Sequence, residues 1–230
     1  MYKHYSFDLW MTLIRSNPAF KSERAKFFQK HFNSCQKTIA EIKEIFRQVD
    51  LMCNAINEKT GKNIDADEMY LMVISQMNNK DFSFKDIDMM WLYEEMDRLL
   101  FQYLPVVYCD NTVDSLDKLK QKNNRSFNIS SNTAFVKGSS LRKVLAELNI
   151  DRFFDFQLYS DEIGFSKPNP SFFELVFQSS KSISANSEIA RTDILHIGDN
   201  PNADIQGARS AGINALQINS NHQTILHLLH

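Results

Sequence analysis

The sequence predicts an α/β protein: a parallel, Rossmann-like sheet with an α-helical domain inserted after its first strand. Three observations predict it. Beyond Pro105, short apolar segments alternate with amphipathic helical ones, the pattern of parallel βαβ units joined by right-handed crossovers. Residues 15–105 instead show helical periodicity and hold a single glycine, Gly61. An apolar, β-prone segment at residues 3–8 precedes that zone, ends in Asp8, and belongs with the later strands. The expected division is therefore residues 1–14 plus 106–230 for the α/β core and 15–105 for the helical domain.

The helical zone divides at recognisable signals. Asn17-Pro18 supplies an N-cap and a proline at the first helical position, and Phe20, Ala25, Phe27, Phe28 and Phe32 follow roughly on one face. Thr38 is placed to cap a second helix carrying Ile39, Ile42, Ile45, Phe46, Val49 and Met52, ending near Gly61. Asp65 and Glu68 have the spacing of a capping box and open a third helix. Ser83 is expected to cap a fourth, with Ile87, Trp91, Met96, Leu99 and Leu100, stopping before Pro105.

The second half reads as a helix at about 112–122, a strand at RSFNISS, and a helix around LRKVLAEL. A strand at FDFQLYS, a helix after Pro170, and a strand at DILHIG come next. NADIQGARSAG reads as a helix ending at Gly212, a C′ glycine, and NALQIN as the last strand. The amphipathic tail SNHQTILHLLH is expected to pack on the core.

The totals exclude several function classes. The 230 residues are 43% hydrophobic and 23% charged, ordinary globular composition. A net charge of -2 leaves no basic footprint for nucleic acid. No apolar run reaches the ~18 residues of a membrane helix, and MYKHYSFDLW lacks the apolar region of a signal peptide. Cys35, Cys53 and Cys109 are scattered and odd in number, which reads as reduced thiols in a cytoplasmic protein. Monomer and homodimer are both compatible with these totals.

The candidate chemistry sits at the strand ends, because open parallel sheets bind ligands outside the carboxyl ends of their strands. Asp8 follows the first strand. Ser131 and Asn132 follow RSFNIS. Lys167 stands in the loop DEIGFSKPNP, and Asp199 and Asp204 follow DILHI. Brought together, these groups suit phosphoryl transfer. Clustered carboxylates raise one another's pKa. Mg²⁺ relieves that repulsion, prefers oxygen ligands and neutralises charge on a transferring phosphoryl group. Ser131 and Lys167 can hold phosphoryl oxygens, and Asp8 can attack phosphorus to give an aspartyl-phosphate that water hydrolyses. His196, inside an apolar strand, reads as a core histidine.

These motifs resemble those of the haloacid dehalogenase (HAD) superfamily of hydrolases. FDLWMTL is similar to the family's first motif, ISSNT to the second, SKPNPSFF to the third and IGDNPNADIQGARSAGI to the fourth, in the family's order. The resemblance implies a sheet ordered 5-4-1-2-3 and a helical cap that closes over the pocket and selects substrate. It implies Asp8 as nucleophile, Ser131 and Lys167 as phosphate holders, and Mg²⁺ between Asp8 and Asp199. Asp204 would be a ligand or a partner of the ligands, and the backbone carbonyl of Trp10 a further ligand. Trp10, Thr12 and Asn132 complete the expected substrate-binding set.

One position departs from the pattern. Phosphatases of the family usually carry a second Asp two residues after the nucleophile, as acid and then base. This chain has Trp10 there, and Met11 in place of the usual Gly, while Thr12 and Leu13 are retained. An indole N–H donates a hydrogen bond but does not transfer protons at neutral pH. Three readings follow: a Mg²⁺-dependent phosphatase for a small phosphorylated metabolite, weakened at its acid–base step; a metal-independent 2-haloacid dehalogenase, whose family members carry an aromatic residue at that position; or a phosphate- or partner-binding protein with little turnover. The acidic pair Asp199 and Asp204 favours the first, because dehalogenases proper lack it.

Overall fold

A computed structural model describes residues 2–79, 83–121, 125–183 and 188–229. The chain enters through β1 (His4–Phe7) and turns through a short β2 (Ile14–Arg15). It then runs through α1 (Pro18–Phe32), α2 (Ile39–Thr60), α3 (Ala66–Met77) and α4 (Met89–Gln102). It returns through β3 (Val106–Val107) and α5 (Thr112–Gln121) to β4 (Ser126–Ser131), α6 (Gly138–Glu147), β5 (Phe156–Tyr159), the single turn α7 (Ser160–Ile163) and α8 (Pro170–Ile183). The strand β6 (Ile194–Gly198), a π-helical turn (Pro201–Gln206), α9 (Gly207–Ser210) and β7 (Asn214–Gln217) complete the core.

The five core strands are parallel in the order β5-β4-β1-β6-β7. Numbered among themselves and read from the other edge, they run 5-4-1-2-3, as the family resemblance implies. Phe7 lies level with Ile129 on one neighbour and Ile197 on the other, so the carboxyl ends of β1, β4 and β6 emerge side by side. The strand order reverses at β1, which places the crevice there. The two short strands β2 and β3 pair antiparallel and form the neck through which the helical cap domain is inserted.

The two faces of β1 differ. Tyr5 and Phe7 point into an aromatic layer, each with its ring centroid 5.6 Å from that of Phe127. His4 and Ser6 point the other way into a buried polar row. His4 Nε2 meets Asn128 Oδ1 at 2.8 Å, Ser6 Oγ meets Ser130 Oγ at 2.9 Å, and His196 Nδ1 meets Ser6 Oγ at 3.0 Å. Period-2 alternation puts Asp8 in register with His4 and Ser6, so the polar row leads to the crevice. Burial pushes His4 down to about 4, which keeps it neutral within that row.

The caps of α1, α2 and α3 match the sequence signals. Asn17 accepts from Ala19 N–H at 3.0 Å. Thr38 and Glu41 form a full capping box, and Gly61 closes α2 at φ 69, a left-handed conformation that favours glycine. Glu68 accepts from Asp65 N–H at 2.9 Å. Two expectations are corrected. Ser83 caps only a 3₁₀ turn, Phe84–Asp86, and α4 starts later, capped by Asp88. The segment expected as one helix from Asn202 starts instead as the π-helical turn and becomes α-helical only at Gly207. The predicted end of α5 at residue 122 lies outside the described residues. In the tail, Ile225 is buried and its 3₁₀ turn packs on α5, as amphipathicity suggests.

Candidate active site

Beyond β1 the chain makes a tight turn over Leu9–Ile14. Leu13 N–H donates to Leu9 O at 2.9 Å and Met11 N–H to Ile14 O at 2.8 Å. Met11 sits at φ 60, the left-handed region that costs a non-glycine residue about 1 kcal/mol. The Asn219 amide donates to both Met11 O and Thr12 O, at 2.9 and 3.0 Å, and holds the turn against that strain. The turn delivers Thr12 Oγ1 to Asp8 Oδ2 at 3.0 Å and to Asp199 Oδ1 at 3.4 Å.

Lys167 occupies the centre. Its ammonium is 1% exposed and lies 2.8 Å from Asp8 Oδ1 and 2.6 Å from Asp204 Oδ1. Asn132, from the end of β4, fixes the lysine backbone with both ends of its amide. Its Nδ2 donates to Lys167 O at 2.9 Å, and its Oδ1 accepts from Lys167 N–H at 2.7 Å. Asp204 is held on every side: His196 Nε2 lies 3.1 Å from Oδ1, and Asn200 N–H donates to Oδ2 at 3.0 Å. It also lies so close to Gly198 that a Cβ there would come within 2.2 Å of the carboxylate. The glycine of the GDNPNAD stretch is therefore the room Asp204 needs to turn back onto the strand end.

The electrostatics follow from burial. Burial raises Asp8 to about 7, Lys167 opposes the shift, and the Asp204 and Asp199 charges add to it. Asp199 is pushed up to about 6, again by burial and by Asp204. Burial acts to raise Asp204 too, but Lys167 and His196 outweigh it and hold it well below the usual carboxylate range. Burial acts to lower Lys167, and the two carboxylates overcome it and raise it. Buried His196 is pushed below its ordinary value. The site thus holds three carboxylates against one ammonium, which leaves a deficit of positive charge at Asp8 and Asp199.

Carboxylate oxygens of Asp8, Asp199 and Asp204 lie within 4.8 Å of one another. All three donors are hard oxygens, and octahedral Mg²⁺ with bonds of about 2.1 Å spans oxygens roughly 3–4 Å apart. The residues therefore fit a divalent cation. Asp8 and Asp199 have room for it, whereas the acceptor sites of Asp204 are engaged with Lys167, His196 and Asn200.

Of the residues singled out from the sequence, Asp8, Trp10, Asn132, Lys167, Asp199 and Asp204 line one cavity of about 700 Å³. Thr12 is buried beneath the floor. Ser131 is the exception: it is fully buried, its hydroxyl donates to Asn132 O at 3.0 Å, and it does not line the cavity in this rotamer. The far wall comes from the cap, where Phe20, Arg24, Phe46 and Asp50 face the floor. Sequence reading missed His196 as a neighbour of Asp204, and it missed Arg24. The available signals were the strand alternation that aligns His196 with Ser6, and the four-residue spacing that sets Arg24 between Phe20 and Phe28 on the buried face of α1.

The cap also bonds directly to the floor loops. Asn200 and Asn202 donate their amides to the two oxygens of Glu58 at 2.8 and 2.7 Å. Ser160 donates to Asn63 Oδ1 at 2.7 Å, and Asn169 donates to Gly61 O at 2.9 Å. Glu58, Gly61 and Asn63 all lie at or just beyond the end of α2, so one corner of the cap carries all four bonds.

The family model for haloacid dehalogenase-like hydrolases matches residues 2–212, and the chain belongs to that family of hydrolases. Among curated proteins, a glyceraldehyde 3-phosphate phosphatase from Methanothermobacter thermautotrophicus is 34% identical over 110 residues, 48% of this chain and 44% of that protein. The match thus spans less than half of that relative. Among solved structures, the HAD-hydrolase YfnB from Bacillus subtilis bound to magnesium aligns with a TM-score of 0.71 at 19% identity, over 96% of this chain and 91% of that one. A HAD phosphatase from Thermococcus onnurineus aligns at 0.66 and 18% identity, over 98% and 95%. The L-2-haloacid dehalogenase from Xanthobacter autotrophicus aligns at 0.63 and 18% identity, over 95% and 78%. At these identities the structures speak for the fold alone. Separately, no helix among the described residues is long and apolar enough to cross a membrane.

Proposed function

We propose that the chain is a Mg²⁺-dependent phosphatase that hydrolyses a small phosphorylated metabolite through an aspartyl-phosphate on Asp8. The observation that carries this reading is the charge balance of the floor, three clustered carboxylates around one buried ammonium. Such a floor attracts a cation and then an anionic phosphoryl group. The curated phosphatase relative and the magnesium-bound YfnB structure support the same reading.

Asp8, Asp199 and the Trp10 carbonyl would hold the Mg²⁺, which would favour the ionised Asp8 and supply charge neutralisation for the phosphoryl group. Asp8 attacks phosphorus, and the ester oxygen departs with the electron pair of the P–O bond. Lys167 holds a phosphoryl oxygen while remaining bound to Asp204, which fixes its position. Ser131 reaches a phosphoryl oxygen after releasing Asn132 O. Water then attacks phosphorus, the P–O bond to Asp8 breaks, the Asp8 carboxylate is restored, and inorganic phosphate leaves with the proton balance met by solvent. Trp10 shapes the wall beside Asp8 and donates no proton, so the leaving oxygen takes its proton from water. The account therefore favours acyl and aryl phosphates, whose leaving groups need no acid.

In this reading residues 15–105 are the cap, residues 1–14 and 106–230 the core, and the β2–β3 ribbon the neck on which the cap moves. The three cysteines are free thiols, which suits a reducing cytoplasm. Dehalogenation of a 2-haloacid is the second reading, favoured by the aromatic side chain of Trp10. Against it, a carboxylate substrate entering beside Asp8 meets Asp199 and Asp204 with only Lys167 to offset them. Weak turnover with retained phosphate binding is the third.

The test is a panel of aryl, acyl and alkyl phosphates and 2-haloacids, assayed with Mg²⁺ and with chelator. Phosphate release that requires Mg²⁺ and is lost in Asp8→Asn is the expected result. Halide release in chelator, or phosphate release that survives Asp8→Asn, overturns it.

A further inference from the structure

The floor holds its one ammonium between two carboxylates, whereas the cation on the wall opposite has no such ion pair. Arg24 lies on the buried face of α1 and is 8% exposed. Its guanidinium stands over the rings of Phe46 and Phe135, 4.0 and 4.7 Å from their centroids. Its Nε has no hydrogen-bond partner, and no carboxylate among the described residues comes within 4.0 Å of the group. Tyr70 and Asp50 are the groups whose charge or hydrogen bonding supports it, and burial still acts to lower its pKa. A buried charge is ordinarily paired and hydrogen-bonded, because an unpaired one is costly. Arg24 faces the same cavity as Asp8 and Lys167.

From this arrangement we infer that Arg24 is a substrate-binding residue, and that the substrate is a phosphomonoester carrying a second oxyanion. The reacting phosphoryl group lies on the Asp8 floor, and a carboxylate or second phosphate at the other end of the molecule pairs with Arg24. The aromatic rings cover the guanidinium faces, so a planar or tripodal anion in the cavity pairs with the group along its in-plane edge. The cavity of about 700 Å³ accommodates a metabolite of a few carbons between the two ends. From the cap, Lys21, Lys43 and Arg47 also line the cavity beside Asp50 and Glu58, so with Arg24 the cap lining carries more cations than carboxylates. This inference rests on the phosphatase reading for the first anion, whereas the argument for the second uses only Arg24 and its surroundings.

The two are tested separately. Binding is measured by titration calorimetry on the Asp8→Asn protein in Mg²⁺, with 3-phosphoglycerate, glycerol 3-phosphate and a three-carbon bisphosphate as probes. The first two differ in a carboxylate replaced by a hydroxymethyl group. The expected result is that 3-phosphoglycerate or the bisphosphate binds at least about tenfold more tightly than glycerol 3-phosphate. Which of the two gains identifies the second anion as carboxylate or phosphate. That preference is expected to collapse in Arg24→Met, which keeps the apolar stem, and to return in part in Arg24→Lys. Circular dichroism melts confirm that both variants fold. The inference is overturned if the folded protein shows no preference for a second anion, or if Arg24→Met weakens all probes alike. Turnover of aryl phosphate by the Asp8 protein reports on the phosphatase reading independently, so failure of one is not mistaken for failure of the other.

Discussion

The floor and the cap wall of the cavity solve the same problem, a buried charge, in opposite ways. On the floor Lys167 sits between Asp8 and Asp204, with Thr12, Asn132, His196 and Asn200 hydrogen-bonded around them. On the wall Arg24 has aromatic faces around it and a buried Nε–H without a hydrogen-bond partner. The floor is built for chemistry, in which each group must be held in place before substrate arrives. The wall is built for recognition, in which an unmet charge is completed by the ligand. The difference teaches where to look for specificity in this chain: in the cap, at the least satisfied group.

The comparison breaks most visibly at Lys167. Lys167→Met removes the one cation that Asp8 and Asp204 share, and turnover of an aryl phosphate is expected to fall ~10²–10³-fold. Steady-state kinetics at saturating Mg²⁺ measure it. A fall confined to KM, with kcat intact, shows Lys167 to be a binding group only.

Trp10→Asp sharpens the same point from the other side. It restores an acid beside the nucleophile, and alkyl phosphate turnover is expected to rise by about 10- to 100-fold, with a smaller rise for aryl phosphates. The ratio of the two rates is the readout. An equal rise for both, or none, removes protonation of the leaving group as the limiting step.

Glu58→Ala tests the joint between wall and floor. It breaks the bonds to Asn200 and Asn202, two side-chain hydrogen bonds worth about 1 kcal/mol each. KM is expected to rise a few-fold, with kcat little changed, since Glu58 touches the loop after β6 but not Asp8. A loss of kcat as large as that in Lys167→Met shows that the cap corner positions the acidic loop.

Much of the floor was legible in the sequence because strand ends are. Asp8, Asn132, Lys167, Asp199 and Asp204 each follow a strand or stand in the loop beyond one, and parallel topology gathers such positions at one edge. The caps of the first three helices were equally local, since Asn17, Thr38 and Asp65 act within a few residues. What local pattern does not carry is the partner of a buried polar group. His196 looked like a core histidine, and it is buried and bonded, but its partner Asp204 is set by the π-helical turn that folds back against Gly198. Ser131 is the last residue of β4 rather than the first beyond it, and its hydroxyl bonds Asn132 O. Arg24 interrupts an aromatic helical face, and only the packing of α1 on Phe46 and Phe135 shows that its Nε is buried without a hydrogen-bond partner. Ser83 failed as the cap of α4 because Asp88, five residues later, performs that role.

The central claim is that Asp8 becomes phosphorylated. The most direct test is to mix the protein with acetyl phosphate and Mg²⁺, quench in acid, and measure the intact mass and the Asp8 peptide. The account predicts a gain of one phosphoryl group on Asp8 that disappears with chelator and in Asp8→Asn. Phosphate release with no such adduct in wild-type protein, or an adduct that persists in Asp8→Asn, contradicts it.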